Sequence, residues 1–372
     1  MLGIYVHLPF CPYLCPYCDF AKWPLRESQA REYLTALYAE VERVTPQRAA
    51  TIYLGGGTPN AYAPDRIADL LQRLNRRFPG AREVTIEVNP ELVRDGDLRN
   101  YRDAGITRLS VGVQSFVEDE IRTLGRKHSV GDVAGVVAAA RAAGFEAISL
   151  DLMFAVPGQT AASWKRSLEA ATALEVDHVS AYGLTVEEGT PYAAWRAREP
   201  AAFAGDDMEA ELYRIAIETL ERAGYRQYEI SNFARPGHEC EHNLNYWANG
   251  EYLGLGVGAA SYWDGVRSVH TKSLHEYVAA ALVGSAIPAQ TERLEGQRRA
   301  GEALMLALRT SQGVPLGYFK DRYGIDVIET YAPVIAQFTS TGLLEQVDGA
   351  MRLTARGRFL ANDVCGAFVT FE

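Results

Sequence analysis

The chain predicts an α/β fold of parallel strands alternating with helices, followed by a small helical module. Three observations carry this. Six short apolar runs that read as strands alternate with segments whose apolar residues recur at helical spacing. Gly105 and Gly144 stand where two of those helices should stop. Beyond about residue 285 the pattern changes to amphipathic helices. Repeated βα units imply parallel strands joined by right-handed crossovers. Six strands fall two short of a closed eight-stranded barrel, so an open partial barrel and a doubly wound sheet both fit the count.

In chain order, Gly3–Phe10 is the first strand, and the loop Cys11-Pro12-Tyr13-Leu14-Cys15-Pro16-Tyr17-Cys18 follows it directly. Glu27 to Val44 places Tyr33, Leu34, Leu37, Tyr38 and Val41 on one helical face. Thr51–Leu54 is a buried strand ending in Gly55-Gly56-Gly57-Thr58-Pro59, and helix Pro64–Phe78 has proline in its first turn. Then come strand Val84–Val88, helix Asp97–Ala104, strand Arg108–Val113, helix Asp132–Ala143, strand Ala147–Leu152 and helix Ala161–Leu174. Strand His178–Leu184 precedes a longer excursion and helix Asp206–Ala223. The expected division is 1–232 for the α/β domain, 233–290 for an extension and 291–372 for the helical module.

Composition narrows the class. A chain of 372 residues with 48% hydrophobic residues can bury a large core. No apolar run approaches a membrane span, and the N-terminus does not read as a secretory signal. Five cysteines, three of them clustered, suit a reducing cytoplasm. A net charge of −10 argues against a general nucleic-acid binder, which needs a basic surface.

Cys11, Cys15 and Cys18 follow the spacing C-x-x-x-C-x-x-C. Three thiolates on one short loop suit one face of a cuboidal iron–sulfur cluster. The next cysteine is Cys240, so one iron would stay open to an outside ligand. Structural zinc is the rival reading, although it usually brings a second C-x-x-C pair or several histidines, and His7 alone does not supply that. Ligands of parallel-strand folds bind at the strands' C-terminal ends. There the chain places Gly55–Pro59, Glu87, Gln114 and Asp151, with Arg126 in the loop after the fourth strand. Any one of these could be a loop hydrogen-bonder. Together they make a polar ring at one mouth.

These stretches carry a resemblance. Residues 3 to about 260 resemble the coproporphyrinogen dehydrogenase-like branch of the radical S-adenosylmethionine (SAM) family, of HemN and HemW types. The matching stretches are Tyr5–Cys11, Gly55–Pro59, Ile86–Pro90, Ser110–Phe116, Asp151–Met153 and Tyr228–Phe233. The resemblance implies a radical SAM partial (β/α)6 barrel in which Cys11, Cys15 and Cys18 hold a [4Fe–4S] cluster. It also implies that Tyr5, Gly56, Gly57, Thr58, Glu87, Gln114, Arg126 and Asp151 contact SAM. The dehydrogenase pattern continues Cys-x-Cys after the third ligand, whereas this chain has Cys18-Asp19-Phe20. Phe20 and His242-Asn243-Leu244-Asn245-Tyr246-Trp247 look like the HemW-type haem chaperones instead. On that resemblance His242 becomes the expected axial ligand of haem, with Tyr246 and Trp247 as flat surfaces for the porphyrin. His238 and Cys240 are further possible ligands, and a core histidine in an aromatic cluster is the bland alternative.

The Gly-rich stretch Tyr252–Ala260 reads as a close backbone approach and lacks the strand–turn–helix setting of a dinucleotide fingerprint. In the C-terminal module, helix Gln297–Arg309, a hairpin around Gly342–Thr354 and a last helix Ala355–Cys365 suggest a winged helix. Eight Lys/Arg against seven Asp/Glu over Gln297–Gly366 give it no basic face, and packing or a lid over the barrel mouth is the expected role. Cys365 reads as a small buried apolar residue. The function implied is a cytoplasmic haem chaperone, possible at the inner face of the membrane, that passes haem to acceptor haemoproteins such as membrane respiratory enzymes. Oxidative decarboxylation of coproporphyrinogen III is the alternative.

Overall fold

The computed structural model describes residues 1–369. The six expected βα units are present, their ends shifted by at most two residues. The strands are β1 (Leu2–Leu8), β2 (Thr51–Gly56), β3 (Glu83–Val88), β4 (Arg108–Gln114), β5 (Ala147–Phe154) and β6 (His178–Gly183). They are followed by α1 (Glu27–Arg43), α2 (Pro64–Arg77), α3 (Asp97–Asp103), α4 (Val130–Ala142), α5 (Ala161–Ala173) and α6 (Asp206–Arg222). Local chemistry sets several of these boundaries. Pro64 opens α2 at its first turn. Ser129 with Asp132, and Thr160 with Ser163, form reciprocal caps at the starts of α4 and α5.

Beyond β6 the chain returns to the sheet. Strand β8 (Asn232–Ala234) pairs antiparallel with β6, and β7 (Arg226–Gln227) pairs antiparallel with β8 to close that edge. Helix α7 (Glu241–Trp247) then leads to β9 (Glu251–Leu255), which joins the other edge parallel to β1. Antiparallel strands β10 (Ala260–Trp263), β11 (Val266–His270) and β12 (Ala289–Arg293) extend that edge, with α8 (Leu274–Val283) between the last two. The order is β12-β11-β10-β9-β1-β2-β3-β4-β5-β6-β8-β7. The seventh parallel strand, β9, lies inside the Gly-rich stretch. Its Gly254 takes the close approach of the next strand: a Cβ there would lie 2.1 Å from the carbonyl oxygen of Ala260, because β10 folds straight back over it.

The outward residues of the parallel strands, such as Ile4, Val6, Leu8, Ile52, Leu54, Ile86, Leu109 and Leu150, are fully buried against the helices. The inward residues are polar. Tyr5, Tyr53, Thr85 and Arg108 lie level across β1 to β4, and Gly112, Asp151 and Ser180 lie level across β4 to β6. The barrel is therefore lined with hydrogen-bonding groups, in contrast to the filled apolar interior of a closed barrel. At its bottom Glu83 and Arg108 form a buried ion pair at 3.6 Å.

One core runs from Ile4 to Ala281 and a second from Ala303 to Phe368. The second belongs to the C-terminal module. It holds α9 (Gly296–Ala307), α10 (Leu316–Tyr323), α11 (Ala332–Ser340) and α12 (Ala361–Val369) with the small sheet β13 (Val314–Pro315), β14 (Leu344–Val347) and β15 (Ala350–Leu353). The last helix begins six residues later than its sequence suggests, because Gly357–Leu360 forms a 3-10 turn first. Cys365 is buried as expected. The module packs on the barrel's flank: Arg358 donates to Gln227 Oε1, Arg322 donates to the Ala248 and Asn249 carbonyls, and Phe359 meets Tyr213 edge-on. It does not form the expected lid, since the cavity at the barrel mouth is lined by residues between Cys11 and Asn243.

Gly254→Ala should overpack the β9–β10 turn and cost about 1–3 kcal/mol. Urea unfolding of the purified chain checks this, and an unchanged midpoint would contradict the tight approach.

Candidate functional site

The cysteine loop is tied down at both ends. Phe10–Cys11 pairs in parallel with Trp23–Pro24, and Leu25 N–H donates to the Cys11 carbonyl at 2.8 Å. Between these ends, Tyr13 reaches across the mouth: its hydroxyl donates to Glu91 after β3, and Arg126 and Lys127 lie over its ring at 6.0 and 5.0 Å. The three cysteines are free thiols, Cys11 buried and Cys15 and Cys18 half-buried. Burial pushes the Cys11 thiol up to about 11, opposed by a hydrogen bond with Thr58.

All three border a cavity of about 340 Å³ at the C-terminal ends of the strands, within the usual range for small-molecule sites. Gly56, Gly57, Thr58, Glu87, Gln114, Arg126 and Asp151 line the same cavity. Glu87 accepts from Tyr53 OH at 2.9 Å and from Gly56 N–H at 3.1 Å. Burial holds its carboxyl up at about 7, and the negative charge of Asp151 adds to this. Asp151 accepts from Ser110 and Ser180, each at 2.7 Å, and burial raises its carboxyl as well. Arg126 donates to Asn89 Oδ1 and the Gly112 carbonyl, leaving its Nε without a partner. The sheet slips by one residue between Gly112 and Gln114, and Gln114 takes a left-handed conformation with φ 63° that re-aims its side chain.

The glycine segment differs from expectation in what it offers. Its N–H groups are committed, Gly56 to Glu87, Gly57 to the Leu8 carbonyl and Thr58 to the Phe10 carbonyl. It therefore presents carbonyls, which suit an ammonium group. Its lack of side chains is required, because a Cβ on Gly57 would lie 2.6 Å from the carbonyl carbon of Pro9.

Two expected site residues stand elsewhere. Tyr5 lies off this cavity and lines a second chamber, its hydroxyl bonded to His7 Nδ1 at 3.0 Å. His242, 1% exposed, is a core histidine. Its Nδ1 shares a hydrogen bond with Thr51 at 2.8 Å and its Nε2 with Tyr246 OH at 2.9 Å, and its ring stacks on Tyr53. Burial pushes it down to about 3. Both nitrogens are engaged in this structure, and His242 lines neither this cavity nor the second chamber. Cys240 borders the cavity beside the cysteine loop, whereas His238 does not. Cys240 is buried with its Sγ on Glu83, and His238 faces Asp177 at 4.0 Å.

Sequence reasoning missed Tyr53, Thr85, Arg108, Ser149, His178 and Ser180, all lining the cavity. The signal was present in strands such as Glu83-Val84-Thr85-Ile86-Glu87-Val88. Parallel strands buried on both faces read as continuous apolar runs, so alternation inside them marks a polar lumen.

No helix among the described residues is long and apolar enough to cross a membrane. Residues 5–171 match the Radical SAM superfamily model, and residues 294–360 match that of the HemN C-terminal domain. The chain is 34% identical to the heme chaperone HemW of Bacillus subtilis, over 99% of both chains. It is 38% identical to the heme chaperone HemW of Mycobacterium tuberculosis, over 97% of this chain and 93% of that one. Its fold superposes on the coproporphyrinogen III oxidase HemN of Escherichia coli with a TM-score of 0.86 at 25% identity, over 100% of this chain and 90% of that one. With the cysteine loop, the strand-end ring and both domains in place, the chain belongs to the HemW family of the radical SAM superfamily.

Proposed function

We propose that the chain binds a [4Fe–4S] cluster and SAM at the barrel mouth, receives haem, and hands it to acceptor haemoproteins. The observation that carries the haem reading is the end-to-end similarity to proteins named heme chaperone HemW. Phe20, where the dehydrogenase pattern has cysteine, supports it. In this reading the chain works in the cytoplasm, and its acceptors include respiratory haemoproteins reached at the inner face of the membrane. The net charge of −10 gives it no use as a nucleic-acid binder.

The residues fit the cofactors. Three free thiols on one anchored loop match three irons, and the cavity beside them supplies groups for what binds the fourth. When bound, the cluster supplies one-electron chemistry and an open iron for the amino and carboxylate groups of SAM. Glu87 and Asp151 are acceptors for hydroxyl groups, the carbonyls of the glycine segment are acceptors for the N–H bonds of an amino group, and Arg126 and Gln114 offer donors. Tyr13, held by Glu91, keeps the cysteine loop over the strand ends. The likeness to HemN favours a second reading, conversion of coproporphyrinogen III.

One sample tests both readings. After anaerobic reconstitution, the chain should bind haem without converting coproporphyrinogen III; conversion with release of 5′-deoxyadenosine would replace the chaperone reading. Alanine at Cys11, Cys15 and Cys18 together should abolish retention of four irons and four sulfides, measured by iron and sulfide analysis. Losing a charged hydrogen bond costs ~1.5–3 kcal/mol, about one to two decades in affinity, so Glu87→Ala or Asp151→Ala should weaken SAM binding by that much. Glu87 gains charge as pH rises through about 7, and cationic SAM favours the charged form. Calorimetry should show SAM binding strengthening from about pH 6 to about pH 8 in the wild type and rising less steeply in Glu87→Gln, where only the amino group of SAM still loses its proton.

A further inference from the structure

A second chamber, of about 360 Å³, lies between the cysteine loop, β1, β9, β10 and α9. Phe20 borders both this chamber and the cluster cavity, and is 60% exposed. Four aromatic rings wall the chamber: Tyr5, Phe20, Tyr246 and Tyr252, the last two in edge contact at 4.5 Å. Its charged lining is Arg267 and Lys272 with Asp19. Lys272 is exposed and pairs with no carboxylate among the described residues, whereas Arg267 shares its charge with Glu302 at 3.1 Å.

Flat apolar walls with two cations at the rim suit a planar aromatic dicarboxylate, which is the chemistry of haem. The chamber offers no ready imidazole. His7 has both nitrogens engaged, by Tyr5 OH at 3.0 Å and by the Ala21 carbonyl at 2.7 Å. His242 lies outside the lining, but its Nε2 holds the Tyr246 hydroxyl, and Tyr246 is in the wall.

We propose that this chamber is the haem seat, with the macrocycle against Phe20, Tyr246 and Tyr252 and its two carboxylates toward Arg267 and Lys272. His242 is a positioning residue that sets Tyr246 in the wall. Recognition then runs through ring faces and carboxylates, so iron-free protoporphyrin binds at the same place. This rests on the haem-binding part of the proposed function.

The test titrates haem and iron-free protoporphyrin into the reconstituted full chain and four variants, with SAM binding and iron content as folding controls. Ala260→Trp fills the chamber, Arg267→Ala and Lys272→Glu remove its cations, and His242→Gln releases Tyr246. Lys272 is on the surface, so its reversal leaves the fold intact. The expected result is at least about a tenfold loss of affinity for both porphyrins in each variant, with SAM binding unchanged, mutual competition between the two porphyrins, and a haem spectrum of unaltered position in His242→Gln. Wild-type affinity in Ala260→Trp and Lys272→Glu would overturn the seat while leaving the chaperone reading standing. A haem spectrum altered only in His242→Gln would overturn the positioning role in favour of ligation. Failure of the wild type to bind haem would remove the chaperone reading and the seat with it.

Discussion

A carboxylate buried at the centre of a parallel sheet is tolerable only when donors surround it, and Asp151 sets this constraint for the whole barrel. Its two oxygens accept from Ser110 on one neighbouring strand and Ser180 on the other, while Ser149 on its own strand adds a weaker contact at 3.4 Å. Three strands are thus fixed in register by one side chain. The same polar demand runs through the lumen, where Tyr53 and the Gly56 backbone satisfy Glu87, and it keeps the interior from collapsing into an apolar core. An unfilled, polar interior is what leaves a cavity beneath the cysteine loop.

The opposite end of the barrel is closed by charge. Glu83 accepts from the backbone N–H of Glu241 and of His242 at the start of α7, and pairs with Arg108 across the floor. A carboxylate at a helix N-terminus meets unsatisfied donors and the positive end of the helix dipole. The placement of α7 explains why His242 is inaccessible: the helix is a plug, and its histidine ties β2 to Tyr246 through Thr51.

The alternation of helical and strand patterns made the six βα units legible, because each has its own boundary chemistry, such as Pro64, Gly105 or Ser129. The cysteine loop and strand-end ring were legible for a different reason: they are local motifs at fixed positions on those units. Strand β9 was obscured by Gly254 and Gly256, which dilute its apolar signal and are there to let β10 and β1 come close. The burial of His242 was not legible, because sequence proximity to Tyr246 and Trp247 says nothing of which way the ring faces. Its partner Thr51 is nearly two hundred residues away. Tyr5 shows the same limit, since the strand-level alternation puts it inside the barrel without saying which of two chambers it borders.

The C-terminal module has its own core, yet α9 also gives Leu306 to the chamber and Glu302 to the Arg267 ion pair. The chamber's wall is therefore shared between two folding units whose seam holds several polar bonds, including Arg322 to the Ala248 and Asn249 carbonyls. Polar seams of this kind separate more readily than apolar ones. In the seat proposed above, a bound dicarboxylate would compete with Glu302 for Arg267, so the ligand and the ion pair between the two units would draw on one cation.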